Sequence, residues 1–258
     1  MPRCPPTRRF AAPIWGKTMT ELFQAGPVQL RVAGLKAWYG ESRVLSGVDL
    51  EVRRGETVSL LGRNGAGKTS TLRAILGLTG RREGGIEHGG RDLTQVPTHR
   101  IAAAGIGYVP ENRGIFAGLS TRENLLLPPL QGEPGFSEAA LYELFPNLQT
   151  RAGAAGTSLS GGEQQMLSLA RVLRSGVRTL LLDELTEGLA PVIVGKIRET
   201  LNMLKGKGYT ILLVEQNFRF ARKVADRFYV MEDGRIVDHF HARDIDGRSE
   251  RLEHLLGV

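Results

Sequence analysis

The chain has 258 residues, enough for one large domain or for one domain with a small appended lobe. Its longest apolar runs fall far short of the roughly 20 residues that cross a bilayer as a helix, so any membrane role is expected to come through partner proteins. A single cysteine, Cys4, excludes a disulfide framework or a Cys-based metal cluster and suits a reducing compartment. The formal charge of +7 is a weak pointer to nucleic acid, because four of the 34 bases fall in residues 1–18, which hold no acid.

Residues 1–26 read as an N-terminal extension. They contain Pro2, Pro5, Pro6 and Pro13 and lack the apolar core of a secretory signal. The expectation is a disordered tail or a translation start at Met19. From residue 27 a regular pattern begins. Apolar runs at 28–32, 45–52 and 57–61, bounded by glycines, predict strands of an antiparallel β region. A Gly-rich turn at 62–67 leads into a helix over 68–78. Further short strands are expected at 85–88 and 106–109. Residues 112–175 read as an inserted helical lobe, broken by Pro128, Pro129, Pro134 and Pro146 and closed by a helix from Ser160 to about Gly176. An apolar strand (179–182), a helix (192–205) and a second apolar strand (209–214) follow. The pieces 228–231 and 235–237 form a hairpin through the turn pair Asp233-Gly234. The fold class is therefore α/β, with a mixed or parallel sheet buried on both faces, an antiparallel β subdomain and a helical insertion.

Three segments carry chemistry. Gly62-Arg63-Asn64-Gly65-Ala66-Gly67-Lys68-Thr69, followed by Ser70, has the phosphate-loop spacing between a strand and a helix. Glycines let successive N–H groups turn toward one anion, and the helix start adds its positive end. Lys68 is placed to reach the β- and γ-phosphates of a nucleoside triphosphate, and the Thr69 hydroxyl to ligate Mg²⁺. The second segment, residues 179–184, is an apolar strand ending in Asp183 and Glu184. Acids at such a tip suit Mg²⁺ binding by Asp183, directly or through water, and activation of water by Glu184 as general base. In the third, Leu159-Ser160-Gly161-Gly162-Glu163, a Ser and two glycines precede a helix and make a second anion-binding N-terminus. One triphosphate has little use for two such sites in one chain, whereas a two-chain sandwich uses both.

In this order and company the segments resemble the ATP-binding cassette family, over residues 28 to the C-terminus. The resemblance implies ATP and Mg²⁺ as ligands, a P-loop core, and Ser160, Gly161, Gly162 and Glu163 acting on the ATP of a second ATPase subunit, in a homo- or heterodimer. It also implies that Tyr39 stacks on adenine. Most cassettes place a Mg²⁺-sensing Gln after the strand that here ends at Val109-Pro110, but this chain has Glu111. Most place a His that contacts the γ-phosphate after residue 215, but this chain has Gln216. An amide hydrogen-bonds phosphate or water yet accepts no proton near neutral pH, which leaves the base role to Glu184.

Both departures resemble the ATPase subunits of branched-chain amino acid importers, as does the run Glu187-Gly188-Leu189-Ala190-Pro191. The urea and short-amide importer ATPases share much of this. That resemblance implies transmembrane permease partners, an indirect link to a periplasmic substrate-binding protein, and a place at the cytoplasmic face of the membrane. Cassettes of DNA repair or translation usually carry two cassettes, a long coiled coil or a zinc module. None of these patterns is present, so no nucleic-acid partner is expected. Leu185 stands where the family usually has Pro, which gives the loop more freedom. With Gln216, it leaves open a nucleotide-gated subunit with weak hydrolysis. The histidines (His88, His99, His239, His241, His254) have no ligand spacing that argues for a metal.

Overall fold

The computed structural model describes residues 26–131 and 134–245. The readings of the N-terminal extension, Met19, Cys4 and His254 lie outside them, apart from Gly26.

Two sheets form the frame. The first has four antiparallel strands in the order β2 (Ser42–Arg53), β1 (Val28–Tyr39), β4 (Arg81–His88), β5 (Arg91–Asp92). The second has six, in the order β10 (Arg235–His241), β9 (Arg227–Glu232), β3 (Thr57–Leu61), β8 (Thr210–Glu215), β7 (Thr179–Asp183), β6 (Ile106–Val109). All pairs in the second sheet are parallel except the β9–β10 hairpin. Every residue of β3, β7 and β8 is buried, because these strands carry apolar side chains on both faces and are covered on both.

That burial corrects one expectation. Residues 57–61 were grouped with the antiparallel region on account of their short glycine-bounded pattern. They instead form a central parallel strand between β8 and β9. The first two strands also run longer than the apolar runs that announce them. β1 and β2 each span 12 residues, with register shifts that let the pairing continue through polar stretches.

The first helix, α1 (Lys68–Ile75), starts at the Gly-rich turn and stops short of the expected 78, where Gly77 takes φ +70°. The short α2 (Thr98–Ile101) gave no sequence signal. The helical lobe begins at Thr121 rather than 112, the stretch before it being turn, and contains α3 (Thr121–Leu126), α4 (Glu138–Leu144), α5 (Pro146–Thr150) and α6 (Gly161–Arg174). Both α3 and α6 open with reciprocal capping boxes, Ser120 with Glu123 and Ser160 with Glu163. α7 (Pro191–Gly206) starts on a proline at its first turn, where the missing N–H costs nothing, and α8 (Phe218–Ala221) follows β8. One apolar cluster joins the antiparallel sheet and α1 to the parallel sheet. A second joins the helical lobe and α7 to the sheet's other face. No helix among the described residues is long and apolar enough to cross a membrane.

The β9–β10 turn packs directly against the Gly-rich loop. Gly234 takes φ +72°, its N–H donates to Ala66 O at 2.9 Å, and its carbonyl accepts from Ser46 N at 2.9 Å. A Cβ there would lie 2.5 Å from Val44 O, a backbone atom that cannot yield. Gly234→Ala is therefore expected to destabilise the protein by about 3 kcal/mol, combining backbone strain and overpacking. Chemical denaturation of the two proteins measures it.

Candidate functional site

The site lies at the carboxyl edge of the parallel sheet. Four neighbouring strands, β3, β8, β7 and β6, end there and deliver in turn Gly62–Thr69, Gln216, Asp183 with Glu184, and Glu111. A cleft of about 710 Å³ is lined by Asn64, Gly65, Gly67, Lys68, Thr69, Ser70, Glu111, Glu184 and Gln216 from the sequence-predicted set. It is also lined by Arg43, Val44, Glu187, Asp233 and Gly234, which sequence reasoning did not assign to it.

The loop is shaped by its glycines. Gly65 and Gly67 take φ +80° and +105°, conformations that cost other residues free energy. No atom lies within 4 Å of a Cβ placed on Gly65, so that side of the loop is open to a ligand. Gly62 is required for a different reason, since a Cβ on it would lie 2.5 Å from Met231 O. Lys68 is 4 % exposed, and its ammonium donates to Gly62 O at 2.9 Å and Arg63 O at 3.1 Å. It also lies 3.4 Å from Glu184 Oε1.

The acids divide into two groups. The Thr69 hydroxyl donates to Asp183 Oδ1 and the Tyr108 hydroxyl to Asp183 Oδ2, both at 2.9 Å. Burial raises the Asp183 carboxyl above its ordinary range, opposed by these two hydrogen bonds. The second group is Glu111, Glu184 and Glu187, whose carboxylates approach within 4.8 Å of one another. Glu187 is raised by partial desolvation in the cleft and then by repulsion from Glu184. The donors are a hydroxyl and carboxylates, hard oxygens that fit Mg²⁺ rather than a thiophilic metal.

Glu184 adopts φ +46°, a left-handed conformation unusual for a non-glycine residue. Two contacts hold it: its N–H donates to Val214 O at 2.9 Å, and its Oε2 accepts from Gln216 Nε2 at 2.7 Å. Leu185, which stands where the family usually has Pro, buries its side chain in the core, 1 % exposed.

Two predicted groups lie apart from the cleft walls. Ser160, Gly161, Gly162 and Glu163 form the start of α6, where Glu163 Oε2 accepts from the Ser160 N–H and hydroxyl, both at 2.8 Å. They line no part of the cleft built on the Gly-rich loop. Tyr39, 38 % exposed at the end of β1, is also outside its walls, as are Gly62, Arg63 and Ala66. Of the residues that sequence missed, Asp233 and Gly234 were visible only as a turn, and Arg43 had no signal. No histidine among the described residues lines the cleft. His88 is buried and bonds Gln29 and Thr179 instead.

A glycine cradle with a buried lysine, a hydroxyl–carboxylate pair and a strained, amide-held glutamate suit a triphosphate and an attacking water. The comparisons with known proteins agree with that chemistry. The family model for the ABC transporter matches residues 45–187. The chain is 40% identical over 208 residues to the high-affinity branched-chain amino acid transport ATP-binding protein BraG of Pseudomonas aeruginosa, covering 80% of this chain and 89% of that protein. It is 35% identical over 212 residues to the lipopolysaccharide export system ATP-binding protein LptB of Escherichia coli, covering 79% and 86%. Among solved structures, an ATP-binding subunit of an ABC transporter superposes with a TM-score of 0.72 at 31% identity, over 89% of this chain and 95% of that one. The fold, the cleft and these relatives together place the chain in the ABC transporter family, as an ATP-hydrolysing cassette subunit.

Proposed function

We propose that this subunit energises an importer of branched-chain or other hydrophobic amino acids from the cytoplasmic face of the membrane. The observation that carries the reading is the 40% identity to a protein named for branched-chain amino acid transport, over 89% of its length. Glu111 and Gln216, both on the cleft wall, support it as the residues that set this chain apart from most cassettes.

In the proposed mechanism the N–H groups of Gly62–Thr69 and the Lys68 ammonium bind the phosphates of ATP, with Ser70 beside them and Tyr39 against the adenine. Thr69 and Asp183, with Glu111 nearby, would hold Mg²⁺, which neutralises charge on the β- and γ-phosphates when bound. Glu184 takes a proton from the attacking water. Gln216 donates to the Glu184 carboxylate and so orients it, leaving the other oxygen toward Lys68. Ser160, Gly161 and Gly162 meet the ATP of a second ATPase subunit, which agrees with their position outside the cleft. Closure of that dimer moves permease subunits, which receive substrate from a periplasmic binding protein. Nucleic acid has no part in this scheme.

A second reading, lipopolysaccharide export, has its own support in the LptB relatives at 34–35% identity. Vesicle uptake separates the two. Reconstituted with its permease and binding protein, the chain is expected to drive ATP-dependent uptake of leucine, isoleucine or valine. ATP-dependent extraction of lipopolysaccharide without amino acid uptake would favour export instead.

A further inference from the structure

Glu215, the last residue of β8, is 2 % exposed and has no part in the chemistry above. Its Oε1 accepts from the Thr186 N–H at 3.2 Å and from the Thr186 hydroxyl at 3.0 Å. Its Oε2 lies 3.1 Å from the same hydroxyl and accepts weakly from the Asn217 N–H at 3.4 Å. One buried side chain thereby spans the two loops that leave the neighbouring strands β7 and β8. Each loop carries one member of the hydrolytic pair. Glu184 stands two residues before Thr186, and Gln216 directly follows Glu215.

The 2.7 Å bond between Gln216 and Glu184 holds only while these loops keep their relative position. Glu184 also sits at φ +46°, a conformation that persists only where its surroundings enforce it. A carboxylate is a costly way to fill a buried space. Burial pushes Glu215 up to about 7 even with the Thr186 bonds opposing the rise. What the charged group provides that an apolar one lacks is two strong acceptor oxygens for three donors on separate loops.

We propose that Glu215 is a positioning residue for hydrolysis, clamping the Thr186 turn to the end of β8 and thereby setting Glu184 against Gln216. The proposal rests on Glu184 being the general base. It acts on the rate of the chemical step and not on ATP affinity, since none of its contacts is to the Gly-rich loop.

The test compares the purified full-length parent with Glu215→Gln, Thr186→Val, Thr186→Ser and the Glu215→Gln/Thr186→Val double variant. Glu184→Gln serves as control. Steady-state hydrolysis gives kcat and KM, binding of a fluorescent ATP analogue gives affinity, and melting checks folding. Glu215→Gln and Thr186→Val are expected to lower kcat about 10- to 100-fold, the cost of slight misplacement of a reacting group, with affinity changed less than about threefold. Thr186→Ser keeps the hydroxyl and is expected to retain at least about half of the parental kcat. The double variant should be about as impaired as Glu215→Gln alone, because the two residues act as one unit.

The proposal is overturned if folded Thr186→Val or Glu215→Gln keeps kcat within about twofold of the parent, an effect too small for misplacement. It is overturned equally if Thr186→Ser is as impaired as Thr186→Val, or if ATP affinity falls in step with kcat. A Glu184→Gln control with parental hydrolysis would remove the general base itself, and the clamp with it. That outcome is distinguishable because it appears in the control alone.

Discussion

Glu184→Gln is expected to lower kcat by about 10²- to 10⁴-fold, the usual contribution of a general base, while ATP binding persists. The substitution keeps the side chain's size, its core-facing neighbours and an oxygen able to accept from Gln216. It removes only the capacity to take a proton and the charge facing Lys68 at 3.4 Å. Binding should survive because the Gly-rich loop and Lys68 are anchored separately, through Gly62 O and Arg63 O. With hydrolysis blocked, ATP is expected to hold two cassettes together, seen as a dimer on sizing. The nearest rival base is Glu187, whose carboxylate lies within 4.8 Å and is raised toward neutrality by desolvation and by Glu184 itself. Hydrolysis in Glu184→Gln above about a tenth of the parental rate would be too much for loss of a general base, and would move the role to Glu187.

The second large effect is a pH dependence of stability arising from Glu215. Its carboxyl has an ordinary value of 4.5 and is pushed up to about 7 in the fold by burial. Below 4.5 the group is protonated in both folded and unfolded chains, and its contribution is complete. Between 4.5 and 7 the folded chain binds a proton that the unfolded chain has released, so stability falls as pH rises. Above 7 the loss levels off at about 3 kcal/mol. Glu215→Gln carries a permanently neutral group, so this component vanishes. The variant is expected to exceed the parent in unfolding free energy at pH 8 and to lose the advantage near pH 4. Urea unfolding of both proteins across that range measures the difference. Asp183 and Glu187 titrate in the same sense in both proteins, so the subtraction isolates Glu215. A parent and variant with parallel profiles would contradict the account. Gaining stability while losing kcat would mark Glu215 as a group kept for catalysis at the fold's expense.

The sequence made the phosphate loop, Asp183, Glu184 and the Ser160 turn legible because each is a contiguous pattern whose spacing is itself the physics. Glycines permit positive φ at Gly65 and Gly67, and an apolar strand must end where its acids begin. Glu111 and Gln216 were readable only against the resemblance, and the cleft includes both. What stayed hidden depends on contacts between distant segments. Thr57–Leu61 looked like its neighbours in sequence, and its place in the parallel sheet follows from pairing with β8 and β9, more than 150 residues away. Asp233-Gly234 announced a turn, but nothing local said that the turn would support Ala66. The Glu215–Thr186 clamp spans 29 residues and two loops, and either residue alone reads as ordinary. The burial of Leu185 was hidden for the same reason. It depends on a core that only the folded chain supplies.

The most direct test of the account is phosphate release from ATP by the purified full-length chain, with and without Mg²⁺, over a range of protein concentrations. The prediction is hydrolysis that needs Mg²⁺ and a rate per chain that rises with protein concentration, since in the proposed mechanism the Ser160 turn of a second subunit completes each site. A folded chain that binds no ATP and releases no phosphate at any concentration would contradict it.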